Sequence, residues 1–150
     1  MPTLVPRTWI AGVPRGYGNN RVAAEWLQAI EHALSAYRNA SVAHPEHARY
    51  NVAFEFHIDP TSARYGAKPK PFRIHGPDVD NLVKQTLDGL AQTRSKGLPP
   101  GLRIVTDDKA VHRVIASKVI VSGDDRMGAW VKIRFVDGAD GPDDEIGDVA

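Results

Sequence analysis

The sequence predicts an α/β (α+β) fold, a single small domain in which two helices cover a mixed β-sheet. Three observations lead to this prediction. The 150 residues are 42% hydrophobic and 25% charged, an ordinary composition for one globular domain. Apolar residues alternate with period two in some segments and recur every three to four residues in others. These segments follow the order β-α-β-α-β-β, and a helix-covered sheet is the simplest arrangement of that order.

The first half of the chain contains two predicted strands and one helix. Residues 4–13 favour a strand, with Pro6 suited to a sheet edge or a late start. Residues 21–37 form an amphipathic pattern with apolar residues at helical spacing. Residues 50–58 alternate cleanly, which predicts a strand with one apolar face: Val52, Phe54, Phe56 and Ile58.

The second half adds a helix and two further strands. The helix is predicted over residues 78–91, with Val83, Leu87 and Leu90 on its buried face. Strands are predicted over residues 110–121 and 128–136, and a short extra strand is a candidate at 104–106. A Gly- and Asp-rich turn joins the last two strands, which predicts an antiparallel hairpin. The inner face of the last strand is predicted from its alternation: Ala129, Val131, Ile133 and Phe135.

Charge is distributed unevenly along the chain. Residues 137–150 hold six of the 18 acidic residues and no basic ones, which predicts a flexible acidic tail after a domain at residues 1–136. The domain therefore carries 19 Lys and Arg residues against 12 Asp and Glu. A basic body favours a polyanionic partner, and solubilising lysines are the alternative explanation.

The chain has no cysteine and no apolar run long enough to cross a bilayer. The first residues lack the charged and apolar regions of a secretory signal. These observations exclude disulfides and thiolate metal sites, and they predict a cytoplasmic protein without a membrane partner.

The stretch GPDVDNLVKQTLDGL, residues 76–90, places acidic residues at the start of the second predicted helix. Asp78 or Asp80 is suited to cap the helix, but only one residue can be the cap. Asp80, Lys84 and Asp88 recur every four residues and lie along one helical side, where i,i+4 ion pairs form. Asp88 is interpreted as structural, because it lies two turns along the helix from Asp80.

A second acidic pair, Asp107 and Asp108, lies between a short apolar run and a predicted strand. A simple turn would explain this pair alone. If it converges with the helix carboxylates, however, two charges about 4 Å apart repel by about 4 kcal/mol at an effective dielectric near 20. Such a cluster needs either a cation or a raised pKa on one of the carboxyl groups. Oxygen ligands without His or Cys suit Mg²⁺ or Mn²⁺, and basic residues nearby indicate metal-assisted phosphodiester chemistry.

PDVDNLVKQTLDGL followed by DDKAV resembles the RusA family of Holliday junction resolvases. The resemblance covers residues 9–136 in element order and is sharp over 77–90 and 107–111. It implies a homodimer that cuts four-way DNA junctions by paired nicks in strands of like polarity, with Mg²⁺. It places the metal-binding aspartates at Asp78, Asp80 and Asp108 and the functional lysine at Lys84, and these four are the predicted catalytic residues.

Other residues receive supporting roles in this hypothesis. Asn81 and Asp107 are candidates for the groups that surround the metal ligands. The segment between Leu90 and Asp107 is longer than in the family, and the acidic tail has no counterpart there. DNA contacts are expected from basic residues in the loops and near the second acidic pair: Arg64, Lys68, Lys70, Arg73, Lys96, Lys109 and Arg113.

Three alternatives stay open at this point. In the first, the protein binds branched DNA without cutting it, and its aspartates are caps and turns. In the second, it is a metal-dependent nuclease with a different DNA preference. In the third, it acts on small phosphate esters, although the sequence has no Gly-rich phosphate loop of the P-loop kind.

Overall fold

The structure, a computed structural model, describes residues 3–16, 20–45, 47–66, 75–91 and 100–136; the side chains of 20–22 and 136 are outside the description. The helices and strands are β1 (Thr3–Ala11), α1 (Asn20–Leu34), β2 (Arg49–Ile58), α2 (Val79–Leu90), β3 (Val111–Ile120) and β4 (Gly128–Val136). The predicted fold class and element order are therefore confirmed. Within the described ranges, no helix has the length and apolar character needed to cross a membrane.

The four strands form one mixed sheet in the order β1-β4-β2-β3. β4 runs antiparallel to both β1 and β2, and β3 runs parallel to β2. The predicted β3–β4 hairpin is wrong, because β2 lies between these strands. The connecting loop crosses the end of β2, where Val121 N donates to Ile58 O at 2.9 Å and Gly123 N donates to Asp59 Oδ2 at 2.9 Å. The loop thus places β4 on the side of β2 opposite to β3.

The core lies between one face of the sheet and the two helices. The predicted apolar face of β2 is fully buried there, as are Ala129, Val131 and Ile133 of β4. Trp26 of α1 is also buried, and its Nε1 donates to Thr86 Oγ1 of α2 at 3.0 Å. This hydrogen bond satisfies the indole inside the core and fixes the two helices against each other.

The buried face of α2 is rotated from the one predicted. Val83 and Leu87 are only half-buried, whereas the buried residues are Leu82, Gln85, Thr86, Gly89 and Leu90. Gly89 explains the rotation, since a Cβ there would lie 3.0 Å from Leu27 Cδ2 and 3.1 Å from Ile30 Cδ1. The missing side chain lets α1 approach α2 along this line.

Candidate functional site

Two of the predicted ligands lie at the start of α2. Asp78 occupies the N-cap position in extended conformation, but its side chain makes no capping hydrogen bond. Asp80 lies in the first turn, and both side chains are exposed. The expectation that one of them caps the helix through its carboxylate is not met at Asp78. Both carboxylates instead lie in solvent at the positive end of the helix dipole.

The start of α2 is held by β3 and by the loop after β1. Lys118 of β3 donates through Nζ to His75 O at 2.6 Å and to Pro77 O at 3.0 Å. Gly16 packs on the helix, because a Cβ there would lie 2.8 Å from Asn81 Cβ. Asn81 is thus in contact with the β1 loop, and the first turn of α2 lies beside the second half of β3.

The end of α2 is closed by the chain that leads to the second acidic pair. Leu102 N donates to Gly89 O at 2.9 Å, Ile104 N to Leu90 O at 2.8 Å and Arg103 N to Ala91 O at 3.2 Å. These bonds satisfy carbonyls that a helix end leaves without partners. Residues 104–106 do not form the candidate extra strand. The backbone N–H groups of Ile104 and Val105 both donate to Leu90 O at the helix end instead. These hydrogen bonds hold the segment that leads to Asp107 and Asp108 against the last turn of α2.

These contacts make α2 run antiparallel to β3, with the two acidic motifs toward opposite ends of the helix. Asp80 and Asp88 are eight residues apart, which corresponds to about 12 Å along the helix axis. Oxygens that share one Mg²⁺ ion each lie about 2.1 Å from it, so they are within about 4 Å of one another. Asp80 and Asp88 therefore cannot ligate the same ion.

Asp88 and Asp108 are brought within electrostatic range of each other. Partial burial and the negative charge of Asp108 together raise the pKa of Asp88, while the Lys84 ammonium acts in the opposite direction. The interpretation of Asp88 as a structural residue stays a prediction, although Asp88 lies within electrostatic range of the second acidic motif. The spacing of four residues from Lys84 to Asp88 did not reveal this proximity, because an ordinary exposed ion pair explains that spacing equally well.

A short 3₁₀ turn, Asp108–Ala110, begins at Asp108, and Asp107 is its N-cap residue. Asp107 Oδ1 accepts from Lys109 N at 3.0 Å. A hydrogen bond between the two carboxyl groups lowers the pKa of Asp107 and raises the pKa of Asp108. As the pH falls, the proton that the two groups share is therefore taken up by Asp108 before Asp107.

The donor chemistry of this region fits Mg²⁺ in one respect. Asp88 and Asp108 offer hard oxygens at the negative end of α2, and Mg²⁺ commonly takes one or two carboxylates while keeping water and substrate phosphate as its other ligands. Among the described residues, however, no group of three or more His, Asp or Glu side chains is placed to hold an ion. The ligand set Asp78, Asp80 and Asp108 stays a prediction.

The predicted DNA-binding residues are dispersed. Arg64 donates through Nη2 to Glu25 Oε2 at 2.7 Å, so its charge is already paired at the surface. Lys109 is exposed in the 3₁₀ turn beside Asp108. Arg113 lies on β3, on the sheet face away from the helices. The remaining four, which lie outside the described residues, are Lys68, Lys70, Arg73 and Lys96.

The carboxylates lie at the surface rather than in a pocket. Asp78, Asp80, Asp107 and Asp108 are exposed and Asp88 is half-buried. A cavity of about 530 Å³ lies between the end of β1 and α1, and none of these five residues lines it. An open cluster suits a large substrate that lies across the surface better than a small ester that needs enclosure.

Compared with family models, curated proteins and solved structures, the chain matches none of them.

Asp88→Asn is expected to raise the free energy of unfolding at pH 7 by about 0.5 kcal/mol in metal-free buffer, after solvent screening. The pKa of Asp88 is raised in the folded state, so the folded protein holds this proton to higher pH than the unfolded chain. Wild-type stability is thus lost as pH rises through the folded pKa, and the variant avoids this loss. Urea titrations between pH 3 and pH 7 measure the difference, which should vanish at the acidic end.

Asp80→Asn is the matched control, with the opposite sign. A carboxylate near a helix N-terminus stabilises by about 0.3–1 kcal/mol, so this variant should lose stability at pH 7. If Asp88→Asn destabilises the protein at pH 7 as Asp80→Asn does, the ionised Asp88 carboxylate does not destabilise the folded state.

Proposed function

We propose that the protein is a Mg²⁺-dependent, structure-selective endodeoxyribonuclease that resolves four-way DNA junctions by paired symmetric nicks. The observation that carries the proposal is that Asp108 and Lys84 both lie within electrostatic range of Asp88. These residues come from the two RusA-like motifs, which are far apart in sequence, and Lys84 and Asp108 are exposed. Mutually repelling carboxylates are costly to keep together without a function, and a cation would remove that cost.

The family resemblance implies that Asp78, Asp80 and Asp108 hold the metal, and Asp88 is added to the proposal as a neighbour of Asp108. When bound, Mg²⁺ or Mn²⁺ would supply a Lewis acid for the phosphodiester and would lower the pKa of a coordinated water. Because the two acidic motifs lie toward opposite ends of α2, one ion would be held either at the first turn, by Asp78 and Asp80, or at the last turn, by Asp88 and Asp108. The variants described in the Discussion separate these two arrangements.

The other residues bind and position the substrate in this proposal. The Lys84 ammonium stabilises negative charge that builds up on the phosphate. Asp107 fixes the turn through its hydrogen bond to Lys109 N, so that Lys109 extends beside Asp108. Asn81 holds the start of α2 against the loop at Gly16. The roles of Asp107, Lys109 and Asn81 concern orientation, which is a large part of phosphodiester catalysis.

Two further parts of the proposal rest on the resemblance and on symmetry. Paired nicks need two active sites that face a junction with near two-fold symmetry, and a C₂ homodimer supplies them. The absence of cysteine fits a reducing compartment, so the protein is proposed to act on DNA in the cytoplasm.

The deciding experiment uses the purified chain on a labelled four-way junction and on linear duplex of matched sequence, each with Mg²⁺ and with EDTA. We expect symmetric nicks in the junction with Mg²⁺, none with EDTA, and much slower cutting of the duplex. Equal cutting of both substrates would replace junction selectivity with a different DNA preference.

A non-catalytic protein that binds branched DNA is the second candidate. It is favoured by the lack of a three-ligand metal group among the described residues. In this case the same assay should give tight junction binding, no cleavage under either condition, and an affinity that Mg²⁺ does not raise.

A further inference from the structure

The second face of the sheet is not covered by the helices. Because Ala129, Val131 and Ile133 are buried under α1 and α2, the intervening residues of β4 point to the opposite face. The strand registers place partners from the other strands beside them. We call this surface the open face, and define it by its charged and aromatic residues: Arg7, Trp9, Arg49, Glu55, His57, Arg113, Trp130, Lys132 and Arg134.

The open face is strongly cationic. Five of its strand residues are Arg or Lys, contributed by all four strands, and Glu55 is the one carboxylate among the described strand residues of this face. That carboxylate is engaged, since Glu55 Oε1 lies 2.7 Å from His57 Nε2. Asn51 and Ala53 beneath the longer side chains are buried, and the exposed Ser117 and Val119 of β3 share this face with the cationic and aromatic groups. Such a surface attracts a polyanion.

Aromatic rings lie among these charges. Trp9 and Trp130 are neighbours across β1 and β4, with ring centroids 5.1 Å apart. The Arg7 guanidinium carbon lies 3.4 Å from the Trp130 ring centroid. Both indole rings are half-buried, and Arg7 is exposed. Nucleobases stack on indole rings and on guanidinium planes, so the open face offers stacking surfaces next to phosphate-binding charges.

A concave site adjoins the rings. A cavity of about 520 Å³ is lined by Trp9, His57, Val121, Arg126 and Trp130. This volume lies within the range of small-molecule sites, roughly 300–1,000 Å³. The apolar walls suit a planar base, and the exposed Arg126 at the rim suits its phosphate.

From these observations we infer that the open face binds single-stranded nucleic acid, with one base held at Trp9 and Trp130 and the sugar-phosphate backbone running across Lys132 and Arg134. A base within a duplex is stacked on its neighbours and cannot reach the indoles, which favours single strands over duplex. A second copy of the chain is a poor occupant, because two cationic faces would repel across a two-fold axis and protein interfaces are depleted of charge at their centres. The inference does not depend on the proposed cleavage.

The test measures binding by fluorescence anisotropy in EDTA, with labelled 12-nucleotide dT and rU single strands and a 12-base-pair duplex. The full-length protein should bind either single strand at least about 10-fold more tightly than the duplex. Trp130→Ala should weaken single-strand binding about 10-fold, since one stacked base contributes on this scale. It should leave binding of heparin, a polyanion without bases, unchanged.

Lys132→Ala is the second variant, chosen because it removes one charge of the open face and no aromatic ring. It should weaken both oligonucleotide and heparin binding and reduce the slope of log affinity against log salt by about 0.7. Asp108→Asn should keep full single-strand affinity even if it abolishes cutting, so that this inference and the proposed nuclease fail separately.

Two outcomes overturn the inference. One is equal affinity of wild type and both variants for the single strands, or equal wild-type affinity for single strand and duplex. The other is a change from dimer to monomer in Trp130→Ala or Lys132→Ala, measured by light scattering, which would assign the open face to contact between copies of the chain. Preference between dT and rU identifies which nucleic acid is the partner.

Discussion

Asp108→Asn is expected to reduce Mg²⁺-dependent cutting of a four-way junction by at least about 100-fold, because a lost metal ligand costs more than a lost supporting hydrogen bond. Binding of the junction should persist, since phosphate contacts by basic residues supply most of its affinity. Single-turnover cleavage and a gel-shift assay of the same preparation measure the two properties.

Asp88→Asn locates the ion along α2. Loss of cutting in Asp80→Asn but not in Asp88→Asn places it at the first turn, and the reverse result places it at the last turn, because one ion cannot bridge about 12 Å. Glu31→Gln, which alters an exposed ion pair with Arg38 on α1, is the matched control and should cut at the wild-type rate. Full activity in both Asp80→Asn and Asp108→Asn would refute the assignment.

Gly101→Ala is expected to lower the free energy of unfolding by more than about 3 kcal/mol, at the upper end of overpacking effects. A Cβ at this position would lie 1.7 Å from Ala91 O and 2.6 Å from Asp88 O. Both atoms belong to the backbone at the end of α2, so a rotamer change cannot relieve the clash. The bond from Leu102 N to Gly89 O would be strained as well. Urea unfolding monitored by circular dichroism measures the loss.

Gly66→Ala is the control for this substitution. Its Cβ would meet no atom within 4 Å, but its φ of 116° is strained for an L-residue. It should therefore cost only about 1–2 kcal/mol, from backbone conformation alone. A loss in Gly101→Ala no greater than in Gly66→Ala would mean that residues 100–105 do not pack closely on α2.

Local pattern predicted the secondary structure well. The strict alternation at Val52, Phe54, Phe56 and Ile58 identified both β2 and its buried face, because a strand under two helices must bury one of its faces. The Asp78–Val79 boundary of α2 also follows from sequence, since turn residues precede an amphipathic run. Such features depend on residues within a few positions of one another.

The missed features depend on contacts between distant residues. The turn at Gly123 has the composition of a hairpin turn. Gly123 N donates to the Asp59 carboxylate at the end of β2, however, and β4 lies on the side of β2 opposite to β3. The proximity of Asp88 to Asp108 depends on the backbone hydrogen bonds from Leu102 and Ile104 to the end of α2, which no local pattern predicts. Sequence reasoning identified one cation of the open face, Arg113. It missed the others because the strand order that gathers them is not encoded in any single segment.

The strand order also governs when the sheet can form. Among the described strands, β1 pairs only with β4, and β2 pairs with β3 across about 50 intervening residues. Within the described residues, no two consecutive strands form a local hairpin that could nucleate the sheet. Folding of such a topology is slow, and during synthesis β1 stays unpaired until β4 has left the ribosome.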